Sequence, residues 1–317
     1  MQGTDVIAAA RSALGPVGAY LPVSFSTALD IDQHRNAAAR LERAGYGAAW
    51  VNEGIGGKDV FAQLGILMSA TGRLAFGTGI ANIWARAAQT MHGGAALLAA
   101  AFPERLVLGL GVGYPHQAAA SGREFGKPVT TMRGYLEQMD VPGFVPAPDA
   151  GYPRIVAANG RRMLALAAEA ADGAIPAGLR PEYTTYARQV LGPDRLLVAA
   201  LSFVGGASQG ETRAAARARV TGAPGNREAR AALLAELGYA ADDVETVSDR
   251  LVDSMVAHGD PESVAAKVKE HLTAGADHVA LLGDGSDYEL AMSQLERVAP
   301  ALAGLGVAGR RTPGPSQ

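Results

Sequence analysis

Four short motifs in this chain put polar or glycine-rich residues directly after apolar runs. Asn52-Glu53 follows the run YGAAWV. A carboxylate at such a strand end suits a general acid or base or a ligand anchor, and it suits equally an ion pair with an arginine such as Arg86. Gly77-Thr78-Gly79-Ile80-Ala81-Asn82 ends the next run. Its paired glycines allow close backbone approach to a flat ligand, or simply tight packing. Gly109-Leu110-Gly111-Val112-Gly113-Tyr114-Pro115-His116 ends a third run. It resembles a dinucleotide fingerprint only superficially, since Pro115 stands where the helix start is needed, and it has no lysine followed by Ser/Thr for a phosphate loop. A flexible wall against a planar ring is the other reading. Ala158-Asn159-Gly160-Arg161-Arg162 stands at a helix start, where open N–H groups, the helix dipole and two guanidiniums suit a phosphate. An asparagine cap with solvated arginines is the alternative there.

Histidine and acid spacing point to little else. None of the six histidines forms HxxxH or HxH, so no metal site is expected. Of these, only His116 falls on an expected site loop. His34 is expected on a helix surface, His92 packed in an alanine-rich helix and His258 in a turn. There is no GxSxG and no HExxH, so hydrolase chemistry has no local support. With no cysteine, the chain has no disulfide, thiolate metal site or cysteine nucleophile.

These motifs need elements that converge on one side of a sheet. Apolar runs alternate with helical patterns: strands at 15–21, 46–51, 73–80, 105–110, 154–158, 173–175, 196–204 and 278–282, most followed by a helix. Eight short buried strands of this kind predict a (β/α)8 TIM barrel, class α/β, with a doubly wound sheet as runner-up. The stretch between strands seven and eight, about 205–258, is longer than an ordinary crossover and reads as a helical insertion, broken near Gly222–Asn226. Val6, Ile7, Ala10 and Leu14 fit a short amphipathic helix. The expected domain is a single barrel over 14–305, followed by a Gly/Pro-rich flexible tail at 306–317.

Apolar residues make up 48% of the 317, enough for a sizeable core. The net charge of −3 gives no bulk attraction to nucleic acid, and no aromatic-rich basic patch appears. No apolar run reaches the roughly 18 residues of a membrane span, and no secretory signal pattern opens the chain. A small-molecule substrate, no nucleic acid, no membrane and a cytoplasmic location are expected.

With these pieces in order, the chain resembles the bacterial luciferase-like flavin and deazaflavin oxidoreductases. GTGIANIWAR, an alanine-rich helix and FPERLVLGLGVGYPH carry the first match. SDRLVDSMVAHGDPESVAAKVKEHLTAGADHVALL carries the second and PRIVAANGRRMLALAAEAADGAIP the third. GIANIWAR and SDRLVDSMVAHGD look most like an actinobacterial branch that uses coenzyme F420. The resemblance implies a ring bound at the strand C-termini, backed by a non-proline cis bond at Gly79–Ile80 and flanked by Ala81 and Asn82. Val112 and Gly113 would run along that ring. Ala158, Asn159, Gly160, Arg161 and Arg162 would form the phosphate turn. Asn52 and Glu53 would lie near the reactive face, with Glu53 or His116 moving the proton that accompanies hydride transfer. An FMN-dependent monooxygenase and a catalytically silent flavin-binding paralogue are the alternatives. Members of the family commonly form homodimers. The chain departs from the family pattern at Ala87-Ala88, where Asp-Pro is common, and in the insertion VTGAPGNREARAALLAELGY, which is less aromatic.

Overall fold

The computed structural model describes residues 3–22, 30–222, 227–283 and 287–306. In chain order, α1 (Gly3–Leu14) leads into β1 (Val17–Tyr20), α2 (Ile31–Ala44), β2 (Ala48–Val51), α3 (Val60–Ser69) and β3 (Ala75–Thr78). Next come β4 (Ala81–Asn82), α4 (Ala88–Ala101), β5 (Leu106–Gly111), α5 (Pro115–Ala120) and α6 (Pro128–Met139). Then follow β6 (Arg154–Val156), α7 (Arg161–Ala170), β7 (Gly173–Ala174), α8 (Pro181–Leu191) and β8 (Leu196–Gly205). The last part holds α9 (Gln209–Thr221), α10 (Arg227–Glu236), α11 (Ala241–Glu245), α12 (Asp249–Met255), β9 (Val256–Gly259), α13 (Pro261–Thr273), β10 (His278–Leu282) and α14 (Tyr288–Ala303).

All strand pairings are parallel, and the order β1-β2-β3-β5-β6-β7-β8-β10 closes because β10 pairs with both β8 and β1. This is the eight-stranded parallel barrel. The doubly wound alternative is excluded by that closure.

Period-two alternation explains how the strands build two cores. Ala49, Val51, Phe76, Leu108, Val156, Leu197, Ala199 and Leu281 face outward onto the helices. Ala48, Trp50, Ala75, Val107, Ile155, Val198 and Ala280 face inward, where Ile7, Ala10 and Leu14 of α1 join them. Two glycines make room inside. A Cβ on Gly77 would lie 2.3 Å from the Trp50 ring, and one on Gly18 would lie 2.7 Å from His278 Nε2. Trp50 Nε1 in turn donates to His278 Nε2 at 3.0 Å, while His278 Nδ1 donates to the Gly15 carbonyl at 2.7 Å.

The structure amends several expectations. Strand three is interrupted: it ends at Thr78 and resumes as β4, which pairs with β5. The stretch between strands seven and eight carries helices and also one strand. β9 pairs with the far end of β8, Ser202 to Gly205. His258 therefore lies in a buried strand rather than a turn, bonded to Thr212 Oγ1 at 3.0 Å and to Asp253 Oδ1 at 2.8 Å. His34 is buried rather than on a surface, because His34, Ala37, Ala38 and Leu41 form the inner stripe of α2. The tail from residue 307, and most of the expected break near Gly222–Asn226, fall outside the described residues.

Candidate functional site

The barrel is filled at its N-terminal end and opens at its C-terminal end. Along β8, burial is complete through Leu201 and then lapses at the inward positions Ser202 and Val204. Asn52, Ile80, Val112, Ala157 and Leu282 are likewise only partly buried at the ends of their strands. Ile80, Ala157 and Leu282 pack onto the inner core beside Tyr20, forming an apolar floor. Parallel barrels bind ligands at this end.

The corner between β3 and β4 shapes one side. The Gly79–Ile80 peptide is cis, at the bond the family resemblance singled out. Gly79 N–H donates to Val51 O at 2.8 Å, and Glu53 N–H donates to Ile80 O at 3.1 Å. A Cβ on Gly79 would lie 2.2 Å from the Tyr20 hydroxyl, so a side chain there would have to displace the buried Tyr20 ring. Ala81 and Asn82 are buried in β4. The Asn82 carboxamide oxygen accepts from Trp84 N at 3.0 Å, while its Nδ2 is buried without a partner.

Glu53 braces this corner. Its Oε2 accepts from Asn82 N at 2.9 Å and from Arg86 Nη1 at 3.1 Å, and its Oε1 pairs with Arg86 Nη2. The Glu53 side chain is 2% exposed. Arg86 also pairs with Asp59 at 2.8 Å. Burial alone would lower the Arg86 guanidinium, but the bonds to Glu53 and Asp59 outweigh it and hold the group above its ordinary range. Of the two roles open to Glu53 in the sequence, the geometry displays the ion pair. Asn52, beside it, has a buried Oδ1 without a partner.

The second side follows β5. A Cβ on Gly111 would overlap Ile80 at 2.5 Å, and Gly113 has φ +55°. The Val112 carbonyl accepts from Trp84 Nε1 at 2.7 Å. Contrary to the expectation from sequence, Pro115 does not prevent a helix but opens one, at the N1 position of α5. His116 therefore sits on a short helix rather than a loop. It is exposed and stacked on Tyr114, with ring centroids 5.8 Å apart.

The third side is the start of α7. Gly160 is its N-cap and offers no side-chain acceptor, which leaves first-turn N–H groups without intrahelical partners. Ala158 is buried. The Asn159 side chain is engaged: it accepts from Ala177 N at 2.9 Å and donates to Ala177 O at 3.2 Å, tying down the connection to α8. Arg161 is also committed, to Glu236 at 3.0 Å and over the Tyr186 ring at 5.3 Å. Arg162 is exposed and has no ion-pair partner among the described residues.

Strand ends therefore bring together Asn52, Glu53, Gly79, Ile80, Ala81, Asn82, Val112 and Gly113 on one side of the mouth and Ala158 to Arg162 on another. Sequence reading missed Tyr20, Ala157 and Leu282. Alternation from Trp50 and Ile155 was the available signal for such inward positions.

Fold and mouth together define a parallel (β/α)8 barrel with its ligand-binding end at the strand C-termini. The chain matches the luciferase-like monooxygenase family over residues 16–278 and belongs to it. No curated protein matches it by sequence. Solved structures match it in fold. The coenzyme F420-dependent tetrahydromethanopterin reductase of Methanopyrus kandleri aligns with TM-score 0.68 and 18% identity, covering 91% of this chain and 99% of the other. An F420-dependent secondary alcohol dehydrogenase, solved with an F420–acetone adduct, gives 0.69 at 15% identity, covering 91% and 99%. The oxygenating constituent of 3,6-diketocamphane monooxygenase from Pseudomonas putida, solved with FMN, gives 0.65 at 13% identity, covering 90% and 98%. Enzymes that share this fold thus include both F420-dependent and FMN-bound oxidoreductases.

Proposed function

We propose that this protein is a coenzyme F420-dependent oxidoreductase acting on a small organic substrate. The observation that carries the reading is the apolar floor of Tyr20, Ile80, Ala157 and Leu282, with the glycine-capped start of α7 following Ala157 at the end of the same strand. A flat ring fits the floor, and a phosphate fits the first-turn N–H groups. The buried, unpartnered Asn52 Oδ1 adds an acceptor at the rim for a ring N–H. When bound, the deazaflavin would supply a ring carbon that carries a hydride to or from the substrate.

The chain's own residues bind, orient and exclude water. Ile80 would back a bound ring, and Val112 and Gly113 would border it. Trp84, bonded to the Val112 carbonyl, holds that border in place. Glu53 is a positioning residue: both of its oxygens are engaged, so it fixes the Asn82 amide and Arg86 rather than moving a proton. His116, exposed and without an ion pair to an acid among the described residues, is the candidate to exchange a proton at the mouth.

Paired fluorescence titrations with the deazaflavin and with FMN test the proposal. Tighter deazaflavin binding, with no oxygen consumption by the loaded enzyme, is expected. Tighter FMN binding, with oxygen consumption on reduction, would replace it by the monooxygenase reading, which the FMN-bound neighbour supports.

A further inference from the structure

A cleft of about 410 Å³ opens beside the mouth, between the β2–α3 connection, the residues after β4 and the end of α5. Its walls carry Glu53 and Asp59 against Arg86, Lys58 and Arg123. Both carboxylates are engaged by Arg86. Lys58 and Arg123 have no carboxylate partner among the described residues, although ion pairs are common elsewhere on this surface, as at Arg40, Arg133 and Arg154. Two acids face three cations, so the cleft has an excess of positive charge.

The loop Gly54-Ile55-Gly56-Gly57 forms another wall. Gly57 N–H closes a turn on Gly54 O at 3.1 Å, and Gly56 has φ +78°. Turn geometry thus accounts for Gly56. It does not account for Gly54, whose φ is not positive and whose absent Cβ would meet nothing within 4 Å. Neither packing nor conformation requires a glycine there. A bare wall beside two uncompensated cations is what a ligand needs to approach the backbone.

We propose that this cleft binds the anionic group, a carboxylate or phosphate, of the substrate, through Lys58 and Arg123 against the bare backbone at Gly54. The assignment to substrate rests on the cofactor reading above. The cleft flanks β2, whereas the start of α7 follows β6, three strands further around the barrel in the order β2-β3-β5-β6. A cofactor phosphate held at α7 leaves the cleft to a separate molecule. Desolvation already lowers the Lys58 ammonium below its ordinary range, and an arriving anion would reverse that shift.

Lysine labelling reads the cleft without turnover. The chain has only four lysines, so Lys127, Lys267 and Lys269 serve as internal controls for Lys58. The purified chain is acetylated in inorganic phosphate and in chloride of equal ionic strength, and each site is followed by peptide mass spectrometry. Phosphate should slow labelling of Lys58 by roughly threefold, the weight of one partly exposed charge pair, and leave the other three unchanged. Arg123→Ala and Gly54→Ala, both checked for folding by circular dichroism, should reduce that protection. Equal protection at all four lysines, or protection of Lys58 that survives Arg123→Ala, would overturn the site. Protection of Lys58 by the deazaflavin alone would overturn its assignment to substrate. If FMN binds in place of the deazaflavin while phosphate protection of Lys58 persists, the cleft stands and only the cofactor reading fails.

Discussion

Glu53→Gln separates a positioning carboxylate from a proton carrier. Glutamine keeps one acceptor for the Asn82 amide but turns an NH2 group toward Arg86. The Arg86 side chain, 10% exposed, then loses its buried counter-charge and retains only Asp59, which is 55% exposed. Removing one partner of a buried ion pair costs about 3–5 kcal/mol, and the surviving Asp59 contact places this variant near about 3. With an unfolding entropy of about 2.1 cal/mol/K per residue, a chain of this length loses about 1.5 °C per kcal/mol, so Tm should fall by about 4–5 °C. Arg86→Met should cost at least as much, because it strands the more deeply buried Glu53. The double variant removes both charges together and should recover part of the loss, a coupling of about 1–3 kcal/mol. Thermal unfolding followed by near-UV circular dichroism measures all three, and a deazaflavin titration reports whether the Gly79–Ile80 corner has moved. An unchanged Tm with additive single effects would refute the bracing role. If turnover also vanished in that stable variant, Glu53 would be a proton carrier instead.

Two further outcomes follow from buried groups. Burial pushes the imidazoles of His34, His271 and His278 down to about 4. Between pH 6.5 and 4 the unfolded chain therefore binds protons that the native state does not. Stability should be flat above pH 6.5 and fall below it by up to about 1.4 kcal/mol per pH unit for each histidine. Urea midpoints at pH 7.5, 6.0 and 5.0 measure this, and equal midpoints at all three would refute it. Gly109→Ala should abolish the folded barrel, since its Cβ would lie 2.0 Å from the Thr78 carbonyl oxygen, and the adjoining Thr78 hydroxyl bonds lock both strands. Soluble expression with a native Tm would contradict that.

The barrel was legible because its signal is local and repeated. Most strands are short apolar runs bounded by glycine, proline or a helix cap, and buried runs alternating with helices have few solutions. The elements that escaped detection depend on distant partners or on a signal given the wrong weight. β9 is the four residues VAHG between two helical patterns, and only the unusual length of β8 gives it a partner. His34 shares the inner face with Ala37, Ala38 and Leu41, a spacing the sequence displays but which its polar character masked. Pro115 reads as a helix breaker in sequence, although proline at N1 is a helix starter.

The site was less legible for a different reason. The residues with titratable side chains at the expected mouth are Glu53 and His116. In the structure, the first is consumed by Arg86 and two backbone amides, at a separation of 33 residues in sequence for the arginine. The second stands exposed on α5. The mouth is shaped instead by residues with little chemistry of their own: Gly79 fitted against Tyr20, Gly111 against Ile80, and an α7 start left bare by Gly160. Such residues matter where a bound ring carries the reaction, because the protein's work is then to offer a flat floor, backbone donors and a fixed corner. A strand-end carboxylate in this setting is better read first as a brace, and its distance to the nearest buried arginine decides between brace and base.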